Sequence, residues 1–99
     1  MLENEVEKYL VDYAELKGCK IEKLILKDRR GWPDRTIITP HGVTGFAEVK
    51  RPRGGKLSPQ QTEEIAGIAN RKTPIAIIKN KKEAKEFVDY LLTLRLSNV

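Results

Sequence analysis

The sequence predicts an α/β protein whose elements run α-β-β-β-α-β-α. Three observations lead there. Residues 2–17 and the stretch from Asn80 to Leu92 carry apolar side chains at helical spacing. Residues 19–50 are rich in Ile, Thr and Val and punctuated by Gly and Pro, as strands and their turns are. Residues 75–78 form a short continuous apolar run, flanked by helical patterns on both sides. Ninety-nine residues suit one domain, 1–99, with no internal repeat and no low-complexity segment. The charged fraction of 33% against a hydrophobic fraction of 39% fits a folded chain and argues against a disordered one.

Each element has its own signal. Leu2, Val6, Tyr9, Leu10, Tyr13 and Leu16 line one face of the first helix, and Gly18 stops it. The two tyrosines read as core residues and not as base-stacking platforms. Glu3, Glu5 and Glu7 crowd the first turns, where carboxylates favour the helix dipole. On a helical wheel Glu3 and Glu5 flank the apolar stripe on opposite sides, so periodicity does not choose between them for any further role. The first strand is expected over 19–26, with Cys19 buried at its start and Ile21, Leu24, Ile25 and Leu26 as its apolar content. Lys27, Asp28, Arg29 and Arg30 then form a basic loop, a solvated connection or a phosphate contact.

Residues 34–39 and 43–50 read as two strands joined by Pro40-His41-Gly42. Before them, Gly31 permits an unusual backbone angle and Pro33 biases Trp32 toward extended geometry, so Asp34 is presented stiffly at the strand edge. Trp32 is expected to pack, the alternative being an exposed surface for a base or a partner subunit. After the hairpin comes Arg51-Pro52-Arg53-Gly54-Gly55-Lys56, flexible and basic, without the spacing of a phosphate-cradling nucleotide loop. Ser58-Pro59-Gln60-Gln61 opens the second helix, with Ser58 as N-cap and Gln61 completing a capping box. Ile65, Ala66, Ile68 and Ala69 are its expected buried face. The run 75–78 has the composition of an interior strand covered on both sides. Asn80 caps the last helix, Glu83 completes another box, and Ala84, Phe87, Val88, Leu91 and Leu92 are buried. Leu94 and Leu96 continue toward a possible partner subunit.

Composition limits function. Nineteen basic and fourteen acidic residues give a net charge of +5, which suits a polyanionic partner and disfavours acidic-protein or cationic substrates. A single cysteine excludes an internal disulfide, and with a single histidine, His41, it excludes a Cys/His zinc site. No apolar h-region opens the chain and no apolar run is long enough to span a bilayer, so an intracellular location is expected.

The hairpin is where chemistry concentrates. With a three-residue loop and Gly42 in the left-handed position, Thr39 faces Val43, and counting back sets Asp34 opposite Glu48. Directly opposed residues have Cβ atoms roughly 4.5–5.5 Å apart, and like charges there repel. A shared Mg2+ would turn that repulsion into coordination. Lys50 points to the same face, because strand side chains alternate. A two-residue loop would instead shift the register by one and move Asp34 to the other face.

Pro33-Asp34 followed by Glu48-x-Lys50 is similar to the PD-(D/E)xK nuclease signature. The fuller pattern, Gly31-x-Pro33-Asp34, then Phe46-x-Glu48-Val49-Lys50, then Gln61 at the head of a helix, resembles the virus-type replication-repair nuclease (VRR-NUC) family across nearly the whole chain. Trp32 departs from the smaller aliphatic residue usual there. The resemblance implies a PD-(D/E)xK nuclease-like core, a mixed central sheet flanked by helices. It implies Mg2+, with Mn2+ able to substitute, held by Asp34, Glu48 and the Val49 carbonyl. It selects Glu3, ahead of Val6, Tyr9 and Leu10, as the additional acidic residue, reaching the metal through water, with Glu5 in reserve. Gln61 would act at the same site. Lys50 would orient the attacking water or offset transition-state charge, staying protonated beside carboxylates and a metal. Arg29, Arg30, Arg51, Arg53 and Lys56 are the expected DNA contacts. Small stand-alone members resemble homodimeric nucleases of branched DNA, so the leading expectation is a Holliday-junction resolvase with no nucleotide cofactor, in host cytoplasm if viral. Nicking or flap cleavage is the alternative within the class. The rival outside it is a non-catalytic DNA-binding module, and a dimeric scaffold would leave the central motif unexplained.

Overall fold

A computed structural model describes residues 2–96. The elements follow the predicted order: α1 (Glu3–Leu16), β1 (Lys20–Lys23), β2 (Arg35–Ile38), β3 (Thr44–Val49), α2 (Pro59–Ala69), β4 (Ile75–Ile78) and α3 (Lys81–Thr93). One mixed sheet in the order β1-β2-β3-β4 joins the strands, with β1-β2 and β2-β3 antiparallel and β3-β4 parallel.

The register follows from the loop between β2 and β3. Gly42 has φ +84°, the conformation a residue with a Cβ adopts only at a cost, and its N–H donates to the Thr39 carbonyl at 2.9 Å. Thr39 N–H in turn donates to the Val43 carbonyl at 2.9 Å, closing a three-residue loop. Pairing then runs Ile38 to Thr44, Ile37 to Gly45, Thr36 to Phe46 and Arg35 to Ala47. One step further along the same ladder, Asp34 stands level with Glu48.

Alternation divides the sheet into two faces. Ile37, Ala47 and Val49 turn toward α1 and α3, where they form the core with Val6, Leu10, Ala14, Phe87, Val88 and Leu91. An ion pair between Arg35 and Glu7, 3.1 Å long, ties β2 to α1 on that side. Thr36, Phe46 and Glu48 turn the other way, toward α2. Buried apolar area on the α1/α3 face is the main stabilising term, at about 25 cal/mol per Å² removed from water.

Five expectations are corrected. β1 ends at Lys23, and Leu24 and Ile25 stand exposed in a loop, because only Ile21 of that strand meets the core. In α2 only Ile68 is buried, and Ala66 and Ala69 face out, since that helix covers one end of a sheet face and not its whole width. β4 is an edge strand among the described residues, with Ile77 38% exposed, because β2 already occupies the other side of β3. Leu2 and Leu16 are exposed at the two ends of α1, beyond the reach of α3 and the sheet. Asn80 does cap α3 by accepting from Glu83 N–H at 2.8 Å, but the Glu83 carboxylate accepts from Lys79 N–H and not from the cap residue itself.

Candidate active site

β3 positions the central carboxylate. Glu48 faces away from the main core yet is only 2% exposed, because the head of α2 lies over it. Its Oε2 accepts from Gln61 Nε2 at 2.8 Å and pairs with Lys50 Nζ at 3.4 Å. Its Oε1 is buried with no hydrogen-bond partner. Burial raises the Glu48 pKa from 4.5 to about 7, the Asp34 charge adds to that rise, and the Lys50 ammonium opposes it.

Asp34 sits one residue before β2, where its side chain takes over from the backbone ladder. Its Oδ2 accepts from the Val49 N–H at 3.1 Å, and its own carbonyl accepts from Leu24 N–H at 3.2 Å. The carboxylate is thereby held against the backbone of the residue that follows Glu48. Val49 contributes its N–H to this arrangement, whereas the sequence reading singled out its carbonyl.

Gln61 serves two masters with two atoms. Its Oε1 accepts from Ser58 N–H at 2.9 Å while its own N–H donates to Ser58 Oγ at 3.1 Å, completing the capping box. That anchoring leaves Nε2 aimed at Glu48. Gly31 makes this possible: it has φ +85°, and a Cβ there would lie 2.5 Å from the Gln60 carbonyl carbon and 2.7 Å from the Gln61 nitrogen. The turn before Asp34 therefore seats directly on the start of α2, and only glycine lets the two backbones approach so closely. Pro33, fully buried, stiffens the same turn.

Glu3 does not join the acidic pair. Its Oε1 accepts from Arg51 N–H at 3.1 Å, fastening the start of α1 to the segment just after Lys50. Glu5 is exposed on the same helix. Among the described residues no group of three or more His, Cys, Asp or Glu side chains gathers as a metal site. Glu3 instead lines a cleft of about 800 Å3 with Lys50, Arg51, Arg53 and Lys56. Three of the five expected DNA contacts thus share one cleft with the site lysine. Arg29 lies elsewhere, bridged to Glu64 at 2.7 Å, with Arg30 exposed beside it. Neither the Arg29–Glu64 nor the Arg35–Glu7 pairing had a local sequence signal, since the partners are 35 and 28 residues apart. Trp32 packs as expected, its ring edge-on to Phe46 with centroids 5.7 Å apart at 81°.

The donor set fits a hard divalent cation. Two carboxylates share one sheet face, and a buried oxygen of Glu48 has an unused acceptor site. Oxygen ligands in that number, completed by water and phosphate, are what Mg2+ takes, whereas His and Cys, which zinc prefers, are missing from the pair's surroundings.

No family model matches the chain, and no curated protein does. Among solved structures, one described as a VRR_NUC domain superposes with a TM-score of 0.82 at 30% sequence identity, covering 89% of this chain and 95% of that one. Identity at that level over nearly the full length of both chains, with the fold in agreement, shows that this chain belongs to the VRR_NUC family of nuclease domains.

Proposed function

We propose that the protein is a metal-dependent, structure-selective DNA endonuclease that cuts branched DNA, a four-way junction foremost, as a homodimer. The observation that carries the reading is the Asp34–Glu48 pair with an orphaned buried Glu48 oxygen and the Lys50 ammonium 3.4 Å from its sister atom. Buried acceptors without partners are rare in folded proteins, and a cation would satisfy this one.

Asp34 and Glu48 would hold Mg2+ or Mn2+. When bound, such an ion supplies Lewis-acid polarisation of the phosphate and lowers the pKa of coordinated water. The chain's own groups do the rest. Gln61 fixes the Glu48 carboxylate so that one oxygen stays turned to the site. The Val49 N–H does the same for Asp34. Lys50 places positive charge where the pentavalent phosphate gathers negative charge, an electrostatic contribution that needs no proton transfer. Arg51, Arg53 and Lys56 grip the flanking backbone in the adjoining cleft, which positions DNA without reading sequence. Paired incision of a junction requires two copies, and the open edge of β4 with its exposed Ile77 is a surface where a second copy could add.

The test is cleavage of end-labelled junction, flap and fully paired DNA, in Mg2+ and in chelator, with cuts mapped on every strand. Metal-dependent, symmetric cuts near the branch of the junction are expected. Binding without cutting in either Mg2+ or Mn2+ would instead favour a DNA-binding module.

A further inference from the structure

Beside Asp34 lies a cavity of about 180 Å3, smaller than the basic cleft and lined by different residues. Its walls include Leu24, Ile25, Leu26, Arg29 and Trp32, and it reaches Asp34 itself. The size is well below the roughly 300–1,000 Å3 of pockets that take a whole drug-sized ligand, and leaves room for one planar ring system.

The walls combine aliphatic and aromatic side chains with two cations, Lys23 and Arg29, and the Asp34 carboxylate. Leu24 and Ile25 are 38% and 79% exposed, although they follow directly on a strand and are flanked by a basic loop. A single exposed aliphatic residue is ordinary, but two in succession at the margin of a phosphodiester site form a surface that DNA bases can meet. Trp32 offers an aromatic ring, and its indole N–H is buried without an acceptor, an unmet donor in a residue that lines the cavity. Arg29 is paired to Glu64 in a bridge that leaves the arginine side chain 59% exposed, a weak pairing that phosphate could replace. Gly31, locked against the start of α2, links the position of the ring to that of Asp34 two residues on.

From this juxtaposition we infer that the cavity receives the base of an unpaired nucleotide next to the phosphate at Asp34, stacking it against Trp32 between Leu24 and Leu26. The inference rests on the nuclease reading and adds a source for its structure selectivity: at a branch point bases leave the stack easily, whereas inside a continuous duplex extracting one costs unstacking. Base–aromatic stacking tolerates any base, so the pocket selects for unpairedness and not for sequence.

Trp32 is the chain's single tryptophan, so its emission reports on this cavity alone. The experiment titrates the full-length protein, in chelator so that nothing is cut, with a labelled duplex and with the same duplex bearing a single-stranded arm. DNA anisotropy follows binding while tryptophan emission follows the ring. Both DNAs should raise anisotropy, and only the armed one should quench Trp32. Trp32→Leu should reduce the preference for armed over fully paired DNA about tenfold, the loss of one base–aromatic stack. Binding of both DNAs with emission unchanged, or quenched equally, overturns the pocket and leaves the nuclease reading standing. No binding of either DNA would sink both.

Discussion

At the residue scale the site is built from groups that would be uncomfortable without a ligand. Lys50 is one of several cations near the cleft, but it alone lies 3.4 Å from Glu48. Lys50→Ala should therefore lower turnover by at least about a hundredfold, the usual loss on removing one preorganised charge-stabilising donor. DNA binding should weaken only slightly, and single-turnover cleavage beside a filter-binding titration separates the two. Glu48 makes a second prediction, about stability. Its pKa is 4.5 when unfolded and about 7 when folded, so the folded chain holds this proton more tightly. The contribution of Glu48 to stability is therefore greatest below about pH 4.5, declines as the pH rises to about 7, and stays reduced above. In chelator, the melting temperature of Glu48→Gln should rise relative to the parent across that window, and a constant gap would refute the shift. Mg2+ should stabilise the parent more at pH 8 than at pH 5.5, because only the ionised carboxylates bind it. Gln61 was legible in the sequence both as a cap and, by resemblance, as a site residue, and its two ends let both readings hold. The Arg29–Glu64 bridge was not legible, since nothing local marks a partner on another element.

At the element scale, the hairpin was readable because its register depends on a residue count and one glycine. Three loop residues with Gly42 left-handed fix Thr39 against Val43, and every later pairing follows. Leu24, Ile25 and the outward side of α2 were not readable, because apolar composition reports what a residue could bury and not what lies across from it. The edge position of β4 likewise depends on which side of β3 remains open, a property of topology and not of Ile75–Ile78 themselves. The junction between the turn at Gly31 and the head of α2 is where these elements become a site, and it gives the sharpest structural prediction. Gly31→Ala would put a methyl 2.5 Å from the Gln60 carbonyl carbon and force φ +85° on a residue that avoids it. Left-handed backbone costs about 1–2 kcal/mol and overpacking about 1–3 more. The variant should melt several degrees lower and lose turnover beyond what instability explains, because Gln61 and Asp34 move apart. If it keeps parental cleavage at a temperature where it is folded, the close approach is not what assembles the site.

At the scale of the whole molecule, charge and shape divide the labour. Among the described residues no helix is long and apolar enough to cross a membrane. The net charge of +5 is modest, but Lys50, Arg51, Arg53 and Lys56 concentrate four cations along one cleft. Each phosphate neutralised releases condensed counterion, so four contacts on duplex DNA should give a slope of log K against log salt near −3.6. Removing Arg51, Arg53 and Lys56 together should flatten the slope by about 2.7 and weaken binding to junction, flap and duplex alike, since contacts to phosphate carry no preference among them. That uniform loss is the counterpart of the Trp32 result, where the preference changes and the salt slope does not. Titrations at four or five salt concentrations on two DNA forms distinguish the patterns. A cleft variant that loses affinity for one form only would mean that the basic segment itself reads DNA shape, and the division between gripping and selecting would fail.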